Sequence, residues 1–182
     1  MAEQPLSDAS AQVATDPFWS AVRRRHPDAD IVLLPERPSA PVTRGLPAED
    51  PDAAAVSADA VAEGLWALLA GDLQIEATAR WRSGPTPDTV QREVTFRSDG
   101  VDPVTGVAAV SRGGETLTAD GWHVLIPADG LPRALAGRDE ELGRREAQLV
   151  HDPAAARLIL RVRSAPVLVG ERAARAATRG AS

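Results

Sequence analysis

The sequence predicts an α+β fold: a single antiparallel β-sheet of about five to seven strands with one or two helices packed on its apolar face. Three observations carry that expectation. From Leu73 the chain alternates, with Leu73, Ile75, Ala77, Ala79 and Trp81 set against Gln74, Glu76, Thr78, Arg80 and Arg82, the period of a strand with one apolar and one polar face. Similar runs recur as far as Val162, and most are separated by turn signals short enough for hairpins. Ahead of them, Val61, Leu65, Leu68 and Leu69 repeat at helical spacing.

Taken in order, residues 1–15 lack periodicity and are expected to be a disordered tail, with residues 16–182 forming a single domain. Asp16-Pro17 reads as a helix N-cap followed by a first-turn proline, opening a short helix that carries Phe18, Trp19 and Val22 and stops at His26-Pro27. Ile31 to Leu34 reads as a short buried strand. Residues 36–54 are rich in proline and acid and predict a long loop. A second helix is expected from Ser57 to Ala70, closed by Gly71.

Strands are then predicted at Leu73–Arg82, Val90–Arg97, Val107–Ser111, Trp122–Ile126, Glu146–Val150 and Arg157–Arg163. The stretch between Pro127 and Gly143 is expected to hold short helices at Leu131–Ala136 and Arg138–Leu142, and Glu171 to Thr178 is helix-prone. The two helices expected on the sheet are Ser57–Ala70 and Asp16–Arg25.

Composition narrows the chemistry. The 182-residue chain contains no cysteine, which removes disulfides, thiolate nucleophiles and cysteine-ligated metals. Lysine, asparagine and tyrosine are also missing, so all 20 basic residues are arginine and Schiff-base chemistry has no lysine to use. The missing residues share AT-rich codons, which points to a GC-rich bacterial genome rather than to selection for arginine. No basic start followed by an apolar run marks a leader peptide, and the expected location is cytoplasmic. The net charge of −6 is uneven, at −7 up to Asp72 and +5 from Leu142 onward; an acidic chain disfavours nucleic acid, and no membrane insertion is expected.

Candidate sites are sparse. The three histidines, His26, His123 and His151, show no metal-ligand spacing, so no metal or cofactor is expected. His123 is the weak catalytic candidate, since it points away from Trp122, Val124 and Ile126 and follows Asp120, a carboxylate that could orient it as a general base. Asp139, Glu140 and Glu141 read as a solvated helix start, and Asp99, Gly100 and Asp102 lack the remainder of a calcium loop.

Arg80, Arg82, Arg97, Arg157, Arg161 and Arg163 occupy the polar phase of their strands. They would either gather into an anion-binding surface or pair with Glu76, Glu93 and Glu146 in the same phase. Phe18 and Trp19, with Arg23, Arg24 and Arg25 behind them, are either the first core helix or a docking helix with aromatic anchors and a basic rim.

Two functions fit these residues. The first is a non-enzymatic protein-binding or adaptor protein that engages a protein partner through a sheet face or edge. The second is a small-ligand or enzymatic domain in which the sheet grips a helix around an apolar pocket. A filled space between helix and sheet would favour the first, and a cavity the second.

Overall fold

The computed structural model of the chain describes residues 15–26, 46–71 and 73–179. The expected tail up to residue 14 and the Ile31 to Leu34 strand lie outside the described residues, as does most of the proline-rich stretch before residue 46. The chain divides into two units, 1–39 and 40–182, and each is described by itself.

In the first unit, α1 spans Pro17–Arg25. Asp16 caps it, its carboxylate accepting from the backbone N–H groups of Phe18 at 2.8 Å and Trp19 at 3.0 Å, and proline at the first helical position has no N–H to leave unsatisfied. Phe18 is 65% exposed and Trp19 37%, their rings in edge contact at 5.0 Å. Both side chains are exposed.

The second unit is the α+β fold that the sequence predicts. Its antiparallel sheet comprises β1 (Glu76–Ser83), β2 (Thr89–Asp99), β3 (His123–Leu125), β4 (Arg133–Glu140), β5 (Gly143–Asp152), β6 (Arg157–Arg163) and the short β7 (Val167–Leu168). The spatial order is β1-β2-β6-β5-β4-β3, with β7 paired to β2. The helices are α2 (Pro51–Ala70) and α3 (Pro103–Ala119), which cover one face, and α4 (Glu171–Arg179). In α4, Ala174 packs with Val90, Val169 and Trp81.

The helix α2 begins six residues before its expected start, at Pro51, because Asp50 rather than Ser57 is the cap. Its buried side is Ala62, Leu65, Trp66 and Leu69, whereas Leu68 is exposed. By length and composition α2 could cross a membrane, with a mean hydropathy of 1.4. In this fold it lies on the sheet, where Trp66 meets Phe96 at 5.7 Å between ring centroids. Asp59 fixes its rotation through two 2.9 Å hydrogen bonds from Arg92, whose guanidinium also lies over Trp81.

Two expectations are reversed. Val107–Ser111 is not a strand but part of α3, and Arg112-Gly113-Gly114, among the turn signals expected between strands, lies in the middle of that helix. Asp102-Pro103 opens α3 as Asp16-Pro17 opens α1 and Asp50-Pro51 opens α2, with the Asp102 carboxylate accepting from Val104 and Thr105. The glycines allow close packing: a Cβ on Gly106 would overlap the imidazole of His151, and one on Gly113 would come within 2.7 Å of a Leu149 methyl.

Conversely, the short helices expected in Leu131–Ala136 and Arg138–Leu142 are β4 and the turn after it. Asp139 and Glu140 therefore end a strand rather than start a helix. Ala134 and Ala136 are buried under α3 where larger side chains would hold the helix away.

The leading strand also differs in role. It begins at Glu76 rather than Leu73 and forms an edge of the sheet, exposed along its length except at the half-buried Trp81. The core sits one strand further in, on Val94 and Phe96 of β2, Leu158, Leu160 and Val162 of β6, and Ala147 and Leu149 of β5.

Phe96→Ala is expected to lose about 3–5 kcal/mol of stability in denaturant unfolding. Trp81→Ala, half-buried at the edge, is expected to lose clearly less. Gly106→Ala is expected to lose about 1–3 kcal/mol, because its methyl must displace either α3 or His151. Equal losses for Phe96→Ala and Trp81→Ala would contradict the placement of the core.

Candidate functional site: the open face of the sheet

Residues paired across antiparallel strands point to the same side, so the registers define what lies opposite the helices. One row runs Arg80, Glu93, Arg163, Glu146, Gly137 and His123 across β1, β2, β6, β5, β4 and β3. The next runs Thr78, Thr95, Arg161, Gln148, Leu135 and Leu125. A third holds Glu76, Arg97, Ile159, Val150 and Arg133. Among the described residues of this unit no helix covers this side.

All six arginines singled out from their strand phase, Arg80, Arg82, Arg97, Arg157, Arg161 and Arg163, therefore lie on one face. Most are paired, which is the other half of the sequence expectation. Glu93 is the centre: only 2% exposed, it accepts from Arg80 at 2.6 and 2.9 Å, from Arg82 at 3.3 Å and from Arg163 at 3.3 Å. Arg163 also donates to Glu146 at 3.1 Å. Arg97 bridges Glu76 at 2.6 Å and Asp99 at 3.2 Å, and Arg157 donates to Asp99 at 2.7 Å.

Arg161 differs from the others. It is exposed on the third of the six ordered strands, between Thr95 and Gln148, and no carboxylate among the described residues lies within ion-pair distance of it. Around it, Arg80, Arg82 and Arg163 share the one carboxylate of Glu93. The junction of β1, β2 and β6 thus carries an excess of positive charge within a chain whose net charge is −6. Toward β3 the face also carries apolar side chains, with Ile159, Val150 and Leu135 half-buried and Leu125 61% exposed, set among Glu146, Gln148, Arg133 and His123.

Burial pushes the Glu93 carboxyl up, but hydrogen bonds from Arg80 and Arg163 and the charge of Arg82 outweigh it and hold the group below its ordinary value. The Asp99 carboxyl is likewise lowered, chiefly by the Arg157 hydrogen bond. Both groups are therefore ionised at neutral pH, and the face is a lattice of fixed charges.

Among the described residues the histidines are not brought together with an acid. His123 is exposed on β3 opposite Gly137. Asp120, the carboxylate expected to orient it, instead accepts from the Trp122 indole at 3.2 Å and pairs with Arg138 at 3.5 Å. His151 is fully buried beneath α3, its Nε2 donating to the Val101 carbonyl at 3.2 Å. Its burial was readable from its phase, since Ala147, Leu149 and His151 alternate along β5. Among the described residues no three His, Asp or Glu side chains are grouped to hold a metal ion.

Arg24 and Arg25 on α1 are exposed, with Arg24 donating to Ser20 at 3.1 Å; the Arg23 side chain lies outside what is described.

A lowered carboxyl pKa adds stability above its unfolded value, and that stability is lost as pH falls through the folded value. Glu93→Gln is therefore expected to lower stability at pH 7 by about 2 kcal/mol, less than for a fully buried pair because the arginines can rehydrate. The wild-type protein should lose this increment on acidification below about pH 4.3, the ordinary glutamate value, so the two unfolding curves should converge there. Parallel pH dependences would contradict the role given to Glu93. Comparisons with protein-family models, with curated proteins and with solved structures find no match to this chain, and its function is argued from the geometry of this face.

Proposed function

We propose that the protein is a non-enzymatic protein-binding module that holds an acidic segment of a partner against the open face of its sheet. The observation that carries this reading is Arg161, an exposed guanidinium at the middle of the sheet with no carboxylate among the described residues within ion-pair distance, beside three arginines that converge on Glu93, one of which also reaches Glu146. A guanidinium presents a planar fork of donors matched to a carboxylate. The hydroxyl of Thr95 and the amide of Gln148 flank it in register and can complete the hydrogen bonding of a bound carboxylate.

Apolar side chains on the same face supply the rest of the contact, with Leu135 and Leu125 lying two and three strands from Arg161. At about 4.8 Å per strand, the acidic and apolar contacts of a partner segment would be separated by roughly 10–14 Å. Phe18 and Trp19 of α1 form a second binding element, since exposed aromatics are favoured anchors at protein interfaces.

The alternative ligand pocket is less well supported. The space between α2 and the sheet is filled by Leu65, Trp66, Leu69, Val94 and Phe96, and among the described residues no carboxylate pairs with His123, Asp120 being engaged by Trp122 and Arg138.

The reading is tested by titrating the full chain with poly-L-glutamate at low and high salt. Arg161→Glu is expected to weaken binding at least about tenfold, equivalent to about 1.4 kcal/mol, with thermal stability retained, and added salt should weaken the wild type. Equal binding by wild type and Arg161→Glu would remove the face from the proposal.

A further inference from the structure

We infer that the protein pairs with a second copy of itself through the free edge of β1, joining two sheets into one. This interface is separate from the acidic segment proposed for the open face, and its test does not depend on that proposal.

The two edges of the sheet are unequal. At one end β3 has three residues and is followed within two by Pro127, and short strands and prolines are the usual means of blunting an edge. At the other end β1 runs for eight residues, Glu76–Ser83, with no proline and with small side chains at Ala77, Thr78 and Ala79. No further strand pairs with it among the described residues.

Which backbone groups face outward follows from one hydrogen bond. The N–H of Gly84 donates to the Thr89 carbonyl at 3.0 Å, which puts Gly84 and Thr89 at a hydrogen-bonding position of the ladder, and the alternation of an antiparallel pair gives the same status to Arg82, Arg80, Thr78 and Glu76. The N–H and C=O groups of Ala77, Ala79 and Trp81 then point away from β2, toward the free edge. On the other side of β2, Ser164 donates to the Arg92 carbonyl at 2.8 Å, which is consistent with the same alternation.

Two β1 strands related by a two-fold axis at Thr78 are complementary in both charge and shape. Thr78 faces its own copy and Ala77 faces Ala79, which places the outward backbone groups opposite one another. Glu76, whose side chain is 71% exposed, meets Arg80, 53% exposed. Ile75, 43% exposed immediately before the strand, meets the half-buried Trp81. On that side an open cleft, lined by Ala79, Trp81 and the alanines of α4 and bordered by Pro51, Asp52, Arg80 and Arg92, receives the isoleucine of the second copy on its apolar wall.

Moving the axis to Ala79 would oppose Glu76 to Arg82 and Thr78 to Arg80 but set Ile75 against Ser83, and moving it to Ala77 would oppose Glu76 to Thr78. Only the Thr78 register satisfies Glu76 with Arg80 and Ile75 with Trp81 together. Because the axis is perpendicular to the sheet, both arginine faces fall on one side.

The absence of cysteine makes the register directly testable. Wild type is expected to sediment as a dimer, and Thr78→Cys to form an intermolecular disulfide on mild oxidation, since residues facing across a two-fold strand pair fall within disulfide reach. Thr95→Cys, one strand further from the edge, should remain uncrosslinked. Ala79→Pro, which removes an outward N–H without breaking the β1–β2 ladder, should sediment as a monomer with an unchanged circular dichroism spectrum. Ile75→Asp, outside the strand, should do the same. A wild type that stays monomeric across the concentration series, or crosslinking at Thr95 as fast as at Thr78, would overturn the pairing and leave the edge to a foreign strand.

Discussion

The close approach of α3 to the sheet is the contact on which the rest of the structure depends. A helix normally stands off a sheet by the length of the side chains between them. Here Gly106 and Gly113 present bare backbone to His151 and Leu149, and the strands answer with Ala134, Ala136 and Ala147. The gap that remains is too thin for large side chains on β4, so the bulk of the apolar volume sits beneath α2, at Trp66 and Phe96. Close packing of this kind leaves few ways to vary the layer without strain or cavities.

One-sided coverage sets the chemistry of the other face. With the apolar phase of each strand committed to α2 and α3, the polar phase is left facing outward, and its charges are arranged by strand order. Exposed cross-strand pairs contribute little individually, so the pairs of Arg97 and Arg157 with Glu76 and Asp99 are best regarded as surface organisation. Glu93 is different because it is buried by the arginines themselves. Three guanidiniums are held at fixed positions around one carboxylate, and Arg161 next to them is left uncompensated. A surface with pre-positioned cations and an adjoining apolar strip has the two properties needed to select acidic, partly apolar segments: long-range attraction and a local area to exclude water.

The phases of β1, β2 and β6 were legible in the sequence, and with them the shared face of the six arginines. Strand order was not. Glu93 reads locally as one more alternating acid, and its convergence with Arg163 arises only because β2 lies between β1 and β6. Propensity misled at α3 and β4 for opposite reasons. Val107 and Val110, followed by glycines, favour a strand and turn locally, yet the segment is helical because Gly106, Ala109, Val110 and Gly113 are buried against the sheet on one side of a helix while Val104 and Val107 stay exposed. The alanines of β4 favour a helix locally, yet they are strand residues because only small side chains fit under α3. The missed signal at α3 was Asp102-Pro103, the same cap that correctly marks α1. For α1 itself the sequence left core and surface open, and the Phe18 ring is 65% exposed.

The claim that one face is packed and the other bare is tested most directly by hydroxyl-radical footprinting of β6 in the isolated chain. Its residues alternate between the sides, with Leu158 and Leu160 fully buried, Ile159 partly accessible and Arg161 exposed. The account predicts oxidation at Ile159 and Arg161 and protection of Leu158 and Leu160. Equal protection of Ile159 and Leu160 would contradict it, because a second layer would then have to cover the arginine face.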